Sequence, residues 1–242
     1  MKILSFTLLL AFATHSFALN EPQKIIGNND IIAVNADAGN VPAKYRKILD
    51  AFGFIDMGCT ATHIGNGIVL TAGHCFWAAD ALMKDGNCEN NTIKWGLRDG
   101  RSAYMTSKCV SILFAQRNSV NNDFAVIKVD PIPTAAVGVE TERKAQPGDQ
   151  LTVFSYPEDM PLRWSQSCQV MQPTDKQLPP QAMQHNCDTN PGSSGAALLD
   201  PVTLKIVGIH DGGRLTSPVD GMNYGTFMTN AEVLNSLKAL GF

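Results

Sequence analysis

A serine hydroxyl stands among glycines in residues 187–200, where Gly192, Ser193, Ser194 and Gly195 directly precede an apolar run. Glycine lets the backbone turn sharply and leaves N–H groups facing a bound molecule. A serine is a weak nucleophile unless a neighbouring base takes its proton. The stretch alone is equally typical of a Ser/Gly loop, so Ser194 becomes a candidate nucleophile only if a base and an orienting carboxylate accompany it.

Two earlier stretches supply such groups. Residues 71–75 read Thr-Ala-Gly-His-Cys and place His74 after an apolar run, while Asp123 stands at the start of the apolar run 124–129. A lone histidine is more often a surface residue, and an aspartate before a strand is common turn chemistry. Together they offer an imidazole base and a carboxylate that can hold its tautomer, which is the set that activates a serine.

The apolar runs that must position these groups are short, rich in β-branched and aromatic residues, and separated by Gly, Asn, Asp and Pro. This pattern predicts an all-β protein. The predicted strands form a first set at residues 54–55, 67–71, 91–95, 109–114 and 124–129, and a second set at 151–156, 166–171, 195–199, 205–210 and 224–228. A connection bearing prolines and charges separates the sets, so we expect two β-barrels, at about residues 25–135 and 145–228.

One helix is expected at about residues 230–240. Asn230 is a suitable N-cap, Glu232 lies in the first turn, and apolar residues recur at helical spacing before Gly241. A weaker helical pattern covers residues 43–51.

The N-terminus has the features of a secretory signal peptide over residues 1–18, with an early lysine, a short apolar run and small residues before the expected cleavage point. A transmembrane anchor fits less well because the apolar run is too short. We expect a protein secreted to the extracellular space or the periplasm. Residues 19–24 form a short propeptide if the chain is processed between Lys24 and Ile25, and a simple exposed leader otherwise.

Six cysteines behind a signal peptide favour disulfides, and none of them has the Cys-x-x-Cys spacing of a zinc site. Loop length favours pairing between sequential neighbours. The predicted disulfides are Cys59–Cys75, Cys88–Cys109 and Cys168–Cys187. The first pair would fix the backbone beside His74.

The composition excludes several classes of partner. A net charge of −3 provides no basic surface for nucleic acid or an anionic membrane, and no segment after the signal peptide is apolar enough to span a bilayer. No acidic loop has a calcium-binding spacing. We therefore expect neither a metal nor an organic cofactor.

The three stretches resemble the motifs of the trypsin/chymotrypsin-like serine endopeptidases. Thr-Ala-Gly-His-Cys at 71–75, Asn-Asp-Phe-Ala-Val-Ile at 122–127 and Gly-Ser-Ser-Gly at 192–195 occur in the order of that family. The resemblance covers about residues 25–242. It implies two six-stranded antiparallel β-barrels of the chymotrypsin type with a C-terminal α-helix, in a monomer that acts on a protein or peptide substrate.

The resemblance also implies the roles of the site residues. His74 would be the general base and then the general acid, Asp123 would orient it, and Ser194 would form the acyl-enzyme. The N–H groups of Gly192 and Ser194 would form the oxyanion hole. A member of this fold that has lost a catalytic residue can serve as a secreted binding protein, but no catalytic residue is missing here.

Two positions depart from the digestive members of the family. Ser193 stands where those enzymes have an aspartate that pairs with the freed N-terminal ammonium group, so that ion pair cannot form here. Asp211 stands where they have a serine, which leaves the surroundings of Asp123 open.

The resemblance gives two opposing indications of the residue preferred before the scissile bond. Trypsin-like members bind Lys or Arg through an acidic residue six positions before the nucleophile, here Asp188, in a pocket that Gly213 and Gly225 would leave open. Bacterial glutamyl endopeptidases carry a threonine and a histidine that match Thr189 and His210.

The charge of Asp188 sets these two indications against each other. A buried carboxylate would repel a glutamate substrate unless Asp188 pairs elsewhere, and some glutamyl endopeptidases also have Asp-Thr at these positions. We expect cleavage after Glu or Asp, with Lys or Arg as the main alternative. The other interpretation of His210 is a satisfied histidine of the core.

Overall fold

A computed structural model describes residues 25–88, 90–118, 122–174, 178–213 and 222–242. The predicted signal peptide and residues 19–24 lie outside these ranges. The strands are β1 (Ile32–Ala33), β2 (Phe52–Ile55), β3 (Cys59–Gly65), β4 (Ile68–Thr71), β5 (Met83–Gly86), β6 (Thr92–Trp95), β7 (Met105–Arg117), β8 (Asp123–Asp130), β9 (Gln150–Ser155), β10 (Arg163–Trp164), β11 (Cys168–Gln169), β12 (Met183–His185), β13 (Ala197–Leu199), β14 (Ile206–Gly213) and β15 (Asn223–Phe227). The helices are α1 (Ala43–Arg46) and α2 (Ala231–Ala239).

The first sheet closes on itself. Its strands pair antiparallel in the order β7, β6, β2, β3, β4, β8, and β8 pairs again with β7, while β5 adds to β7 outside this ring. The inner face carries apolar side chains such as those of Ile93, Trp95 and Ile127, which are fully buried. Burial of these side chains stabilises a barrel of six strands. Six is the number that the family resemblance implies, whereas the sequence pattern predicts five strands here and omits β3.

The second sheet runs in the order β9, β13, β14, β15, β12, and β11 pairs with the other edge of β9. An antiparallel bridge between Val170 and His185 joins the end of β11 to β12, so that six strands form a ring. Val153, Leu198 and Met183 are fully buried inside it. The expected all-β architecture with a second barrel is therefore present.

The N-terminal segment corrects the predicted division of the chain. We expected residues 25–135 to belong to the first barrel, but β1 pairs with β10, and β10 pairs with β9 of the second sheet. The segment before β1 is held on the second sheet by backbone hydrogen bonds to a side chain at position 188. Such long-range pairing leaves no local signal in the sequence.

The two barrels share their largest apolar cluster. Phe52 of the first barrel stacks on Phe154 of the second, with ring centroids 5.2 Å apart. Phe124 and Tyr156 are fully buried in the same cluster. Because aromatic burial makes a large contribution to packing, the barrels are held in one fixed relation, and the ends of β4, β8 and β14 meet at their junction.

The C-terminal helix α2 agrees with the prediction. The side chain of Asn230 accepts a hydrogen bond from the Glu232 N–H at 3.0 Å, which caps the first turn. Val233 and Leu237 are fully buried against the shared cluster. The weaker pattern at 43–51 forms only α1 and a separate 3₁₀ turn. Neither α-helix of the described residues is long and apolar enough to cross a membrane.

Three disulfides join Cys59–Cys75, Cys88–Cys109 and Cys168–Cys187, which are the sequential neighbours that the sequence favours. Disulfides persist in oxidising compartments. They therefore indicate an extracellular type of environment for this protein.

Candidate active site

His74 lies on a 3₁₀ turn, Gly73–Phe76, that follows β4. The turn packs so closely on the neighbouring strands that a Cβ at Gly73 would overlap the backbone carbonyl of Gln116. The disulfide between Cys75 and Cys59 ties the next residue to β3. The imidazole of His74 is thus buried, and the backbone is fixed at the residue before it and at the residue after it.

Asp123, the first residue of β8, contacts His74 twice. Its Oδ1 accepts a hydrogen bond from the His74 backbone N–H at 2.8 Å, and its Oδ2 lies 2.7 Å from the His74 Nδ1. Because a carboxylate only accepts, the proton of the neutral ring belongs on Nδ1. The Nε2 of His74 is then the basic nitrogen, which is the tautomer that a general base needs.

Asp211 lies behind this pair and contacts Asp123 through a threonine. The hydroxyl of Thr226 on β15 accepts from the Asp123 backbone N–H at 3.0 Å and donates to the Asp211 Oδ2 at 2.8 Å. The backbone carbonyl of Asp211 also accepts from the Ser194 hydroxyl at 3.5 Å. The residue that departs from the family pattern therefore joins the surroundings of Asp123 to those of Ser194.

Ser194 lies on the loop between β12 and β13, at the junction of the barrels. The Gly195 N–H donates to the His210 carbonyl at 2.8 Å. Gly192 and Gly195 have φ angles of +98° and +83°, which favour glycine. The loop packs against the end of β4, three residues before His74, because a Cβ at Gly195 would overlap the Thr71 hydroxyl and the Thr60 carbonyl.

Ser193 is fully buried, and its hydroxyl lies 3.1 Å from that of Ser155. A neutral hydroxyl pair therefore occupies the position where the digestive enzymes have an ion pair. The expectation that no ammonium–aspartate pair forms at this position agrees with this contact.

Asp188 requires a correction. We expected its carboxylate to line the substrate pocket, but Oδ1 accepts from the Ile26 backbone N–H and Oδ2 from that of Asp30, both at 2.8 Å. Burial raises the pKa of Asp188, and the two backbone N–H groups partly oppose this change. A buried carboxylate needs hydrogen bonds. The backbone N–H groups of the N-terminal segment provide them, so the Asp188 carboxylate faces that segment.

The replacement Asp188→Asn is expected to lower the free energy of unfolding by about 1–2 kcal/mol, because an amide nitrogen cannot accept and one backbone N–H loses its partner. Urea unfolding measures this change, with Asp37→Asn, an exposed position, as the control. Cleavage of substrates should persist. Unchanged stability together with lost activity would show that the carboxylate serves the substrate.

His210 and His185 form a fully buried pair, with the Nε2 of His185 3.1 Å from the Nδ1 of His210. Burial lowers the pKa of His185 to about 3, against a smaller opposing effect of a hydrogen bond to the Tyr224 backbone. Burial also places the pKa of His210 well below its usual value, and the nearby His185 and His74 act in the same direction. Both rings are therefore neutral near pH 7.

Acid is expected to destabilise the protein through these buried rings. Below the ordinary histidine pKa of 6.5, the unfolded chain binds a proton that folded His185 refuses until about pH 3. Stability therefore falls as the pH drops through this window, by roughly 1 kcal/mol per pH unit for each such histidine. Urea midpoints at pH 7 and pH 5 test this, and the dependence should be smaller in His185→Gln. Equal midpoints at the two pH values would contradict the neutral pair.

The structure also gives the surroundings of the other predicted pocket residues. Thr189 is fully buried, and its hydroxyl has no hydrogen-bond partner among the residues that the structure describes. Gly213 ends β14 opposite Asn223. Gly225 pairs with His210 across the sheet, and a Cβ there would overlap the Ile209 carbonyl. Close strand packing therefore requires Gly225 to be glycine, in addition to any effect on the pocket.

Sequence reasoning missed His185, Thr226 and Ser155. Each is a single polar residue in a short run, and only its partner across the sheet gives it a role. The match of His210 to a histidine of the glutamyl endopeptidases was the one signal in the sequence for this pair.

Comparison with known proteins identifies the family and the fold. The model of the trypsin-like peptidase domain family matches residues 59–209. A solved structure described as a Glu endopeptidase in complex with MPD has a TM-score of 0.64 and 19% sequence identity, over 90% of this chain and 99% of that chain. At that identity the likeness shows the chymotrypsin-like fold. A search of curated proteins found no match. Since the family match spans more than half of the 242 residues, the chain belongs to the trypsin-like peptidase family.

Proposed function

We propose that this protein is a secreted serine endopeptidase that hydrolyses peptide bonds through an acyl-enzyme at Ser194. The observation that carries the proposal is the double contact between Asp123 and His74, at 2.7 and 2.8 Å, beside the Ser194 loop. This contact orients a buried imidazole with its basic nitrogen away from the carboxylate. Protein substrates are those expected for this peptidase family.

In the proposed reaction His74 Nε2 takes the hydroxyl proton of Ser194 as the oxygen attacks the substrate carbonyl. The N–H groups of Gly192 and Ser194 stabilise the resulting oxyanion. Asp123 stabilises the imidazolium, which then gives its proton to the leaving amine. A water molecule, with His74 again as the base, then attacks the acyl-enzyme and releases the acid product and the free Ser194 hydroxyl.

We further propose a preference for Glu or Asp before the scissile bond. Both oxygens of Asp188 are engaged by the N-terminal segment, which removes the main objection to an acidic substrate. The buried hydroxyl of Thr189 and the ring of His210 then provide polar groups for a substrate carboxylate. The solved Glu endopeptidase of the same fold supports this choice.

The hydrogen-bond pattern assigns the proton of His210. The Cys187 backbone N–H donates to the Nδ1 of His185 at 3.3 Å, so that nitrogen has no proton. The Nε2 of His185 must then carry the proton and donate it to the Nδ1 of His210. His210 consequently keeps its own proton on Nε2, as an N–H donor suited to a carboxylate.

The trypsin-like alternative is less favoured. It needs the Asp188 carboxylate to meet a lysine or arginine side chain, and this carboxylate already accepts two backbone hydrogen bonds. A catalytically silent binding protein would need a missing catalytic residue, and His74, Asp123 and Ser194 are all present.

A pair of chromogenic peptides that differ only in Glu or Arg before the scissile bond tests the proposed specificity. We expect cleavage of the Glu peptide and little of the Arg peptide, with Ser194→Ala as the control for contaminating activity. Cleavage of the Arg peptide alone would refute the acidic preference and leave the peptidase proposal intact.

Secretion is part of the proposal and rests on the predicted signal peptide together with the three disulfides. N-terminal sequencing of the protein from the culture medium is expected to begin after residue 18, or at Ile25 if the chain is processed further.

A further inference from the structure

In the Ser194 loop, each backbone carbonyl of residues 191–194 accepts a hydrogen bond. The Glu158 N–H donates to the Pro191 carbonyl at 2.6 Å, and the Ala196 N–H donates to the Ser193 carbonyl at 2.9 Å. In a trans peptide the N–H points opposite to the C=O. These two bonds therefore aim the N–H groups of the following residues, Gly192 and Ser194, to the other side of the loop.

Thr60 of β3 holds the two remaining carbonyls. Its hydroxyl donates to the Gly192 carbonyl at 2.9 Å, and its backbone N–H donates to the Ser194 carbonyl at 2.8 Å. One residue of the first barrel thus contacts both residues whose N–H groups would form the oxyanion hole. Thr60 is fully buried, so water does not compete for these bonds.

The direction of the Thr60 hydroxyl is set by a third bond. The Tyr156 backbone N–H donates to the Thr60 Oγ1 at 2.9 Å. Because the oxygen accepts from Tyr156, its own proton is directed at the Gly192 carbonyl. The hydroxyl therefore connects β3, the segment after β9 and the Ser194 loop at one point.

Gly192 has no side chain that could restrict its own backbone conformation. Its φ of +98° is one of several conformations that glycine adopts readily. Its neighbour Ser193 lacks the charge that would anchor the loop through an ion pair, and its hydroxyl contacts only the neutral Ser155 among the side chains described. The Thr60 hydroxyl thus provides a directional bond at the carbonyl of Gly192 itself.

We propose that Thr60 is a positioning residue that holds the oxyanion hole in its active shape from the opposite barrel. The inference rests on the proposed peptidase function. Thr60 acts through Gly192 and Ser194 and does not contact the substrate. Loss of its hydroxyl should therefore weaken binding of the oxyanion in the transition state more than binding of the intact peptide.

The test uses Thr60→Val, which removes the hydroxyl and keeps the shape, and Thr60→Ser, which keeps the hydroxyl. Thr62→Val is the matched control, because Thr62 is equally buried on the same strand and its hydroxyl has no hydrogen-bond partner within the described ranges. Steady-state kinetics on the Glu peptide and the affinity for a peptide aldehyde ending in glutamate are measured. The aldehyde forms a tetrahedral adduct whose oxygen occupies the oxyanion hole.

We expect Thr60→Val to lower kcat by about 10- to 100-fold, somewhat less than complete loss of one oxyanion donor, with KM within about twofold of the parent. Aldehyde affinity should fall by a similar factor. Thr60→Ser should recover most of kcat, and Thr62→Val should resemble the parent. If Thr60→Val fails to fold, Thr60→Ala removes the same hydroxyl without placing a new methyl group against Gly192.

Two results would overturn this inference and leave the proposed function intact. The first is an active parent whose kcat and aldehyde affinity are unchanged in Thr60→Val or Thr60→Ala. The second is a loss in Thr62→Val that equals the loss in Thr60→Val. A parent protein that never forms an acyl-enzyme would overturn the proposed function and this inference together. The two failures are thus distinguished by the parent protein itself.

Discussion

Replacement of Ser194 by alanine is expected to lower kcat by about 10⁴- to 10⁶-fold, and His74→Ala by a similar factor. Without the hydroxyl no acyl-enzyme can form, and without the imidazole the hydroxyl keeps its proton. The contact of Asp123 with His74 Nδ1 at 2.7 Å makes these residues act as one unit. The double variant should therefore be little worse than either single variant. Hydrolysis of the Glu peptide measures both effects.

Ser193→Ala is the control for these variants, since it removes an adjacent buried hydroxyl that contacts Ser155 and not His74. It should retain far more activity than Ser194→Ala. If Ser194→Ala kept substantial activity, another group would have to be the nucleophile. If the effects of Ser194→Ala and His74→Ala multiplied, the two residues would act independently and the proposed triad would be wrong.

Replacement of His210 by phenylalanine is expected to lower kcat/KM for the Glu peptide by about 10- to 100-fold, the usual value of a hydrogen bond to a charged group. The effect on an otherwise identical Gln peptide should be several times smaller, because the amide is neutral. The physical reason is the proton that we propose on Nε2 of His210, on the basis of its contact with His185. The ratio of kcat/KM between the two peptides is the quantity to measure.

His63→Gln provides a matched control for this ratio. His63 is also buried with both ring nitrogens engaged, by the Ala135 carbonyl and the Gly67 N–H, but it lies in the first barrel. It should change stability and leave the Glu/Gln ratio as in the parent. A ratio unchanged in His210→Phe would show that His210 is only a residue of the core.

Local sequence was sufficient for the elements whose residues are close together in the chain. Asn230 and the apolar residues after it predicted α2, and the runs around His74 and Asp123 predicted β4 and β8. Each of these signals lies within one strand or one helix. Strands β1, β10 and β12 were missed because two or three residues carry no measurable alternation, and β3 and β5 were missed because polar residues interrupt their apolar pattern.

The partners of the site residues could not be predicted in the same way. Asp188 is separated by about 160 positions from Ile26 and Asp30, and Thr60 is separated by 132 positions from Gly192. Nothing near either residue in the chain indicates such a contact. Motif spacing therefore identified the residues that would perform the chemistry, and only the folded chain identified the residues that hold them.

Labelling with a fluorophosphonate probe, followed by mass spectrometry of the peptide that contains residues 187–200, tests the central claim most directly. We predict one label per chain, located on Ser194, with hydrolysis lost in proportion to labelling and no label in Ser194→Ala. A protein freed of any leader that never takes up the probe, or that carries the label on another residue while Ser194 stays unmodified, would contradict it.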